Sequence, residues 1–455
     1  MKIHFIAIGG SAMHNLAIAL KNKGYEITGS DDEIFEPSRS RLKSYALLPT
    51  KEGWQPEILD TSYDAVILGM HAKADNPELL RAKELKLKIY SYPEYLYEQS
   101  KNKTRIVISG SHGKTTITSM ILHVLQKCGI DTDYMVGAKL KDFDVMVKLS
   151  DAPYIVLEGD EYLTSTVDKR PKFHLYHPDI AVVSGIAWDH INVFPSFENY
   201  IEQFRIFINM LPAGGKLIYP DNDVEVNKLA DNCQKEIIKE KYSLPEYEII
   251  NDKTYIIYND TKIELKIFGK HNLLNLNAAR LVCKEIGVDD DTFYKHISTF
   301  SGASMRLEKI FDKNGMIIYR DFAHSPDKLK STVEAVKEQY PNSKLVACIE
   351  LHTFSSLNKD FLMQYEGSMQ LADEAWVYYS PHALSLKNLP DIDPDLIYQC
   401  FKKEDLQIIN SSEILIEKLK NIDSPATLLL MSSGNFDNID FDTLGENILN
   451  NTSNC

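Results

Sequence analysis

The run Gly110-Ser111-His112-Gly113-Lys114-Thr115-Thr116 has the residue types and order needed to hold a polyphosphate. Its glycines permit a tight turn whose backbone N–H groups point at phosphate oxygens. Lys114 adds a point charge, and Thr115 or Thr116 offers a hydroxyl to Mg²⁺. The first glycine of a full P-loop would fall at position 108, where Ile108 stands, so only the G-x-x-G-K-T half of that motif is present. The chemistry this run suits is nucleotide binding followed by phosphoryl transfer.

More polar groups follow apolar runs of strand length. Tyr154–Leu157 delivers Glu158-Gly159-Asp160-Glu161, carboxylates placed to hold Mg²⁺ beside a phosphate loop. Ile180–Ser184 leads to Gly185 and then Trp188-Asp189-His190. Gly269-Lys270-His271-Asn272-Leu273-Leu274-Asn275 opens a helix on which His271, Asn272 and Asn275 could read an adenine edge, although capping explains Asn272 equally well. Ser304-Met305-Arg306-Leu307-Glu308 precedes a strand that ends in Arg320-Asp321-Phe322-Ala323-His324, and an arginine such as Arg306 suits a phosphate reached across a cleft.

Positioning these groups takes parallel strands with helical crossovers. Arg105–Ser109 is a short β-branched run, and the helix after Gly113 would aim its positive end at a nucleotide. Residues 3–8 form a strand, Gly9-Gly10-Ser11-Ala12-Met13 a turn, 12–23 a helix, and Glu26–Gly29 a strand leading to Ser30-Asp31-Asp32. That is a βαβ opening of dinucleotide-fold type, with Ala7 and Ala12 where glycines would complete the signature. The polar run 97–103 reads as a linker, the stretch 240–268 as a small antiparallel insert, and 316–431 as a further α/β alternation. The fold class is therefore α/β, with domains expected at 1–102, 103–300 and 301–455.

A chain of 455 residues fits about three domains at ~150 residues each. Its charge of −15 argues against a nucleic-acid or anionic-membrane footprint. The 6 cysteines (positions 128, 233, 283, 348, 400 and 455) form no C-x-x-C pair, which points to a reducing, cytoplasmic setting without zinc. No run approaches the roughly 18 apolar residues of a membrane span, and Met1–Ile8 reads as a first strand rather than a signal peptide.

The ordered set G-S-H-G-K-T-T, E-G-D-E, D-H, G-K-H-N-L-L-N, M-R-L-E and D-F-A-H-S-P resembles the Mur ligase family of peptidoglycan synthesis, over essentially the whole chain. The resemblance implies a Rossmann-like N-terminal domain for a UDP-sugar, a central P-loop ATPase domain, and a Rossmann-like C-terminal domain for an incoming amine. It implies an ATP- and Mg²⁺-dependent amide ligase acting on UDP-N-acetylmuramate and a peptide or amino-acid amine, with no nucleic-acid or membrane partner. By that resemblance Gly110, Ser111, His112, Gly113, Lys114, Thr115 and Thr116 cradle ATP, and Thr115 or Thr116, Glu158 and His190 hold metal. His271, Asn272 and Asn275 contact the nucleoside, Arg306 a phosphate and Asp321 the ribose. His324 sits near the reacting centre. Gly9, Gly10, Ser11, Ala12, Met13, Ser30, Asp31 and His71 bind the UDP moiety rather than NAD.

Several members carry a carbamylated lysine downstream of D-H. No lysine occurs between His190 and Gly215, which places the chain with the branch lacking it. Within that branch, Glu161-Tyr162, Thr164, Asp168-Lys169-Arg170, Lys172-Phe173 and Tyr176-His177-Pro178 resemble the recycling ligases that couple UDP-N-acetylmuramate to L-alanyl-γ-D-glutamyl-meso-diaminopimelate. Glu350-Leu351-His352 instead carries a histidine, as the L-alanine-adding ligases tend to. Three other classes account for less of the chain. A dehydrogenase leaves Gly110–Thr116 unexplained, a regulatory ATPase needs only the middle domain, and a folylpolyglutamate-synthetase-like ligase usually lacks a domain like residues 1–100.

Overall fold

Strands with few polar residues form parallel sheets covered on both faces by helices. The computed structural model describes residues 1–452 except Lys139, Lys141, Asp142, Asp144, Thr166, Val167 and Asn388; Cys455, counted above, lies outside the described residues. The chain forms two compact units, one of Met1–Ile186, Ser196–Tyr242 and Ala278–Val288, the other of Ala187–Pro195, Ser243–Asn277 and the chain from Asp289 onward.

The first unit contains two sheets. Strands β1 (Lys2–Ile6), β2 (Glu26–Ser30), β3 (Ala65–Leu68) and β4 (Ile89–Ser91) are parallel in the order β2-β1-β3-β4. The chain winds outward on both sides of β1, so the carboxyl ends of β1 and β3 form a switch point, and the Gly9–Gly10 turn lies there. A buried polar strut ties this layer together. Glu78, fully buried on the helix Pro77–Glu84, accepts hydrogen bonds from Ser30 Oγ and Gln55 N (2.5 Å each) and lies 3.2 Å from His4 Nε2.

The second sheet holds β5 (Thr104–Ser109), β6 (Thr132–Met135), β7 (Val147–Lys148), β8 (Tyr154–Glu158), β9 (Ile180–Val183), β10 (Lys216–Pro220) and β11 (Ile238–Tyr242). Their order is β11-β10-β9-β5-β8-β6-β7, with only β7 antiparallel to its neighbour. The carboxyl ends of β9, β5 and β8 are therefore adjacent, and they carry Ser184-Gly185, the phosphate loop and the Glu158–Glu161 run. The polar run expected to be a linker over 97–103 is corrected: Tyr92–Ser100 is a helix, and only Lys101–Lys103 connect it to β5. Ser91 and Glu94 form a capping box, Pro93 stands in the first turn, and Tyr92, Tyr95 and Leu96 are buried, which outweighs the polar composition of its last turn.

The second unit also contains two sheets. β12 (Tyr247–Ile250), β13 (Lys253–Tyr258) and β14 (Thr261–Leu265) are antiparallel hairpins turned at Asn251-Asp252 and Asn259-Asp260, where all four residues have positive φ as two-residue hairpin turns require. They join the C-terminal layer through Tyr247 Oη donating to Glu338 (2.7 Å) and Thr254 Oγ1 donating to Gln339 (2.8 Å). β15 (Glu308–Lys313), β16 (Met316–Asp321), β17 (Lys344–Glu350), β18 (Glu374–Tyr378), β19 (Gln407–Ile409) and β20 (Ala426–Met431) order as β15-β16-β20-β17-β18-β19, antiparallel only at β15. β15 is a half-exposed edge strand without an apolar run, so the sequence reading contains no strand there. Among the described residues no helix is long and apolar enough to cross a membrane.

Replacing Glu78 with alanine strands the imidazole, hydroxyl and amide directed at it. Glu78→Ala is expected to cost about 3–5 kcal/mol of stability, measured by denaturant unfolding; a loss below about 1 kcal/mol would show that the strut is dispensable.

Candidate active site

The Gly110–Thr116 loop is built by glycine and braced by its neighbouring strand. Gly110 and Gly113 have φ of +124° and +78°, and a Cβ at Gly110 would stand 2.2 Å from Ser184 Oγ. Ser184 Oγ donates to Ser109 O (3.1 Å) and to His112 O, and Ser111 N donates to Gly185 O at 3.0 Å. The helix Lys114–Lys127 starts after Gly113 with no side chain capping it, leaving its first N–H groups for an anion.

The side chains at this spot alternate in charge. Lys114 Nζ donates to Gly110 O and to Glu161 Oε2, both at 2.7 Å; Lys172 pairs with Asp160 at 2.6 Å. Burial works against the Lys114 ammonium, but Glu161, Asp160 and Glu158 more than offset it and hold its pKa above the usual lysine value. Glu158, at the end of β8, accepts from Thr115 Oγ1 (2.7 Å) and from Gly137 N (2.8 Å). The Thr115 hydroxyl and the Glu158 carboxylate are hard oxygen donors side by side, which suits Mg²⁺ held jointly by protein and phosphate. Thr116 is buried one residue on, and among the described residues no cluster of three His, Cys, Asp or Glu side chains forms a ready-made metal cage.

At the end of β1, Gly9 N donates to Asp31 Oδ2 at 2.7 Å, while Ala7 N and Ile8 N both donate to Ser30 O. Burial, with Asp32 alongside, pushes the Asp31 carboxyl up to about 7. Ser30 O and Asp31 Oδ2 thus hold the turn from below, while Ser30 Oγ donates to Glu78 and Asp31 Oδ1 accepts from Asp32 N. The half-exposed Gly9 and Gly10, with the exposed Ser11 and Ala12, form its outer surface, Met13 is buried, and His71 is exposed beyond β3. The helix Ser11–Asn22 likewise begins without a side-chain cap.

In the second unit, Asp189 Oδ2 faces Lys328 Nζ at 3.4 Å and His324 Nε2 at 3.9 Å. Burial opposes the Asp189 charge, yet Lys328, His190 and His324 bring its pKa down to about 2. Burial, reinforced by Lys328, lowers His324 to about 3, so its ring is neutral at pH 7, with Nδ1 2.8 Å from Phe322 O. His190, adjoining Asp189, belongs to this unit and not to the one that holds Lys114, Thr115, Thr116 and Glu158. Arg306 places its guanidinium over Phe322, 4.5 Å from the ring centroid, between Met305 and Leu307, which both have positive φ. Asp321 fixes that loop by accepting from Leu307 N (2.5 Å) and Ala323 N (2.7 Å). On the helix Lys270–Glu285, Asn272 Nδ2 donates back to Phe268 O at 2.9 Å, Asn275 is buried and His271 half-buried.

Three stretches match family descriptions: residues 2–104 the Mur ligase family catalytic domain, 108–283 the Mur ligase middle domain, and 305–434 the Mur ligase glutamate ligase domain. A UDP-N-acetylmuramate–L-alanine ligase of Caldicellulosiruptor bescii is 32% identical over 418 residues, covering 88% of each chain. The chain belongs to the Mur ligase family. Membership makes it a ligase of an ATP-dependent class, and the α/β, Rossmann-like reading of its architecture holds. A UDP-N-acetylmuramate–L-alanyl-γ-D-glutamyl-meso-2,6-diaminoheptandioate ligase of Haemophilus influenzae is 30% identical over 348 residues, covering 74% of this chain and 76% of its own. The crystal structure of a murein peptide ligase from Psychrobacter arcticus aligns with a TM-score of 0.64 at 24% identity, over 100% of this chain and 99% of its own.

Sequence reasoning did not single out several side chains of this Mur ligase. Glu161 was read only as one of a run of carboxylates suited to Mg²⁺ and not as the partner of Lys114, and Asp189 was noted only as half of D-H. Lys328, one turn beyond His324, gave no signal of its own. Tyr200 reaches Glu161 and Ser111 from a helix far along the chain, and His14, against Gly10 O at 2.9 Å, reads as an ordinary helix residue.

His324 sets a pH dependence. Its folded pKa lies below the unfolded value of 6.5, so it contributes stability above pH 6.5 that is lost as pH falls toward 3. The stability gap between wild type and His324→Gln is expected to shrink by about 2 kcal/mol from pH 6.5 to 4.5. A gap constant across that range would contradict a buried neutral ring.

Proposed function

We infer that this Mur ligase joins the carboxylate of UDP-N-acetylmuramate to the amino group of L-alanyl-γ-D-glutamyl-meso-diaminopimelate at the expense of ATP, as in cell-wall peptide recycling. The observation that carries the ligase chemistry is the juxtaposition of Lys114, Thr115 and Glu158 at adjacent strand ends, beside a helix start that no side chain caps. A carboxylate is a poor electrophile. One of its oxygens attacks the γ-phosphorus, ADP leaves, and the acyl phosphate that forms is attacked by the amine. Inorganic phosphate departs and the nitrogen loses a proton. Lys114 and the loop N–H groups bind and orient the phosphates and offset their charge. Thr115 or Thr116 with Glu158, and His190, are the residues we assign to Mg²⁺, which supplies further neutralisation of phosphate charge. His271, Asn272 and Asn275 are assigned to the nucleoside, Arg306 to a phosphate and Asp321 to the ribose. Gly9–Met13, Ser30, Asp31 and His71 are assigned to the UDP moiety.

The peptide as amine rests on the segment after β8. There Asp160 pairs with Lys172, Thr164 N and Oγ1 both donate to Arg170 O, and Asp168 holds the Arg170 guanidinium, so the residues that resemble the recycling ligases form one folded loop. L-Alanine is the second reading, favoured by His352 at the end of β17, whose Nδ1 lies 3.4 Å from the buried Glu350 carboxylate. Relatives of both names match at similar identity, so the amine is argued from these residues.

The test is ADP release with ATP, Mg²⁺ and UDP-N-acetylmuramate, with tripeptide or L-alanine added. Stimulation by tripeptide is expected; stimulation by L-alanine alone would overturn the peptide assignment. Lys114→Ala should lower the stimulated rate at least about a hundredfold, and a variant keeping a tenth of it would overturn the cradle assignment.

A further inference from the structure

The Glu161 carboxylate on Lys114 is given no role in the ligase steps set out above. Lys114 Nζ and Glu161 Oε2 are 2.7 Å apart, with side-chain exposures of 16% and 1%. The same ammonium is folded back onto Gly110 O, the carbonyl of its own loop. A pair this dry attracts far more strongly than one in water, and both of its anchors keep the ammonium from an arriving phosphate. Glu161 is itself held: Tyr200 Oη donates to its other oxygen at 3.2 Å, and Tyr200 Oη lies 2.9 Å from Ser111 Oγ in the phosphate loop. Tyr200 is fully buried in an aromatic cluster with Phe204 and Phe173, so its hydroxyl has a fixed position.

We propose that Glu161, positioned by Tyr200, is a latch on the phosphate-binding lysine. In the nucleotide-free chain it neutralises and immobilises Lys114, and a polyphosphate binds by taking the ammonium from it. The latch rests on the reading of Gly110–Thr116 as a nucleotide cradle. Glu161 is a positioning residue: it acts through Lys114 and sets how much phosphate charge is needed to open the site. The neighbouring acidic groups do not share this role. Asp160 is paired with Lys172, and Glu158 takes its bonds from Thr115 and Gly137. When Lys114 leaves, Glu161 keeps the Tyr200 hydroxyl, so releasing the lysine does not strand a bare buried carboxylate. The Ser111–Tyr200 contact lets a movement of the loop reach the latch directly.

The experiment measures binding of ADP in EDTA by calorimetry, so that no metal contributes, to the full-length wild type, Glu161→Gln and Asp160→Asn, with thermal unfolding as the check on folding. The glutamine keeps the shape and a Tyr200 contact but loses the charge. Glu161→Gln is expected to bind ADP at least about fivefold more tightly than wild type. Asp160→Asn, which removes the same charge from the same loop, should stay within about twofold. Equal tightening in both variants would reduce the effect to general electrostatics and overturn the latch. Unchanged or weaker binding in Glu161→Gln would also overturn it. Should Glu161→Gln fail to fold, Tyr200→Phe carries the test: loosening Glu161 should tighten ADP binding, and unchanged affinity would contradict the proposal. A wild type that binds no ADP would instead overturn the cradle reading on which the latch rests.

Discussion

A mostly buried ammonium must have counter-charge, and that requirement organises the middle of this protein. Lys114 stands at the start of a helix whose own partial charge is positive, inside a loop of backbone N–H groups. Such a site is stable without a ligand only if anionic groups are delivered to it. The parallel sheet does this by setting β8 beside β5, so that Glu158, Asp160 and Glu161 arrive at the same end as the loop. Their charges hold the lysine ionised, and the bond to Glu161 fixes its position. On the proposed reading, a phosphate replaces a carboxylate without the site having to be rebuilt.

The same device is used at lower charge in the N-terminal layer. There the switch point of the four-stranded sheet presents an uncapped helix start, and Asp31 takes up the Gly9 amide from beneath. The surface assigned to an anion is backbone, while the acidic side chain shapes the turn. In the C-terminal layer, burial drives His324 neutral and leaves Lys328 as the charged neighbour of Asp189. In each case the strand end supplies the position, and the low-dielectric surroundings decide which protonation state occupies it.

Much of this was legible in the chain. Gly110–Thr116, Gly9–Gly10 and the D-F-A-H-S-P strand end are local signals, because a glycine turn between a strand and a helix is written in consecutive residues. The end of helix Tyr92–Ser100, from Tyr97 on, was misread as linker because that turn is polar, though Ser91 and Glu94 spelled a capping box. Tyr200, and the pairing of Glu161 with Lys114, were missed for a different reason. Their roles arise from a contact between positions far apart in sequence, and a tyrosine on an amphipathic helix carries no mark of what its hydroxyl meets. Lys328 and His14 are similar, since each becomes significant only through what folding sets beside it.

The proposed ligase reaction requires an acyl phosphate to link ATP to amide formation. The most direct test is to supply UDP-N-acetylmuramate labelled with ¹⁸O in its carboxylate, together with ATP and the amine substrate, and to weigh the phosphate released. One labelled oxygen transferred to inorganic phosphate for each amide formed is the predicted result. Phosphate free of label, with amide accumulating, would contradict it.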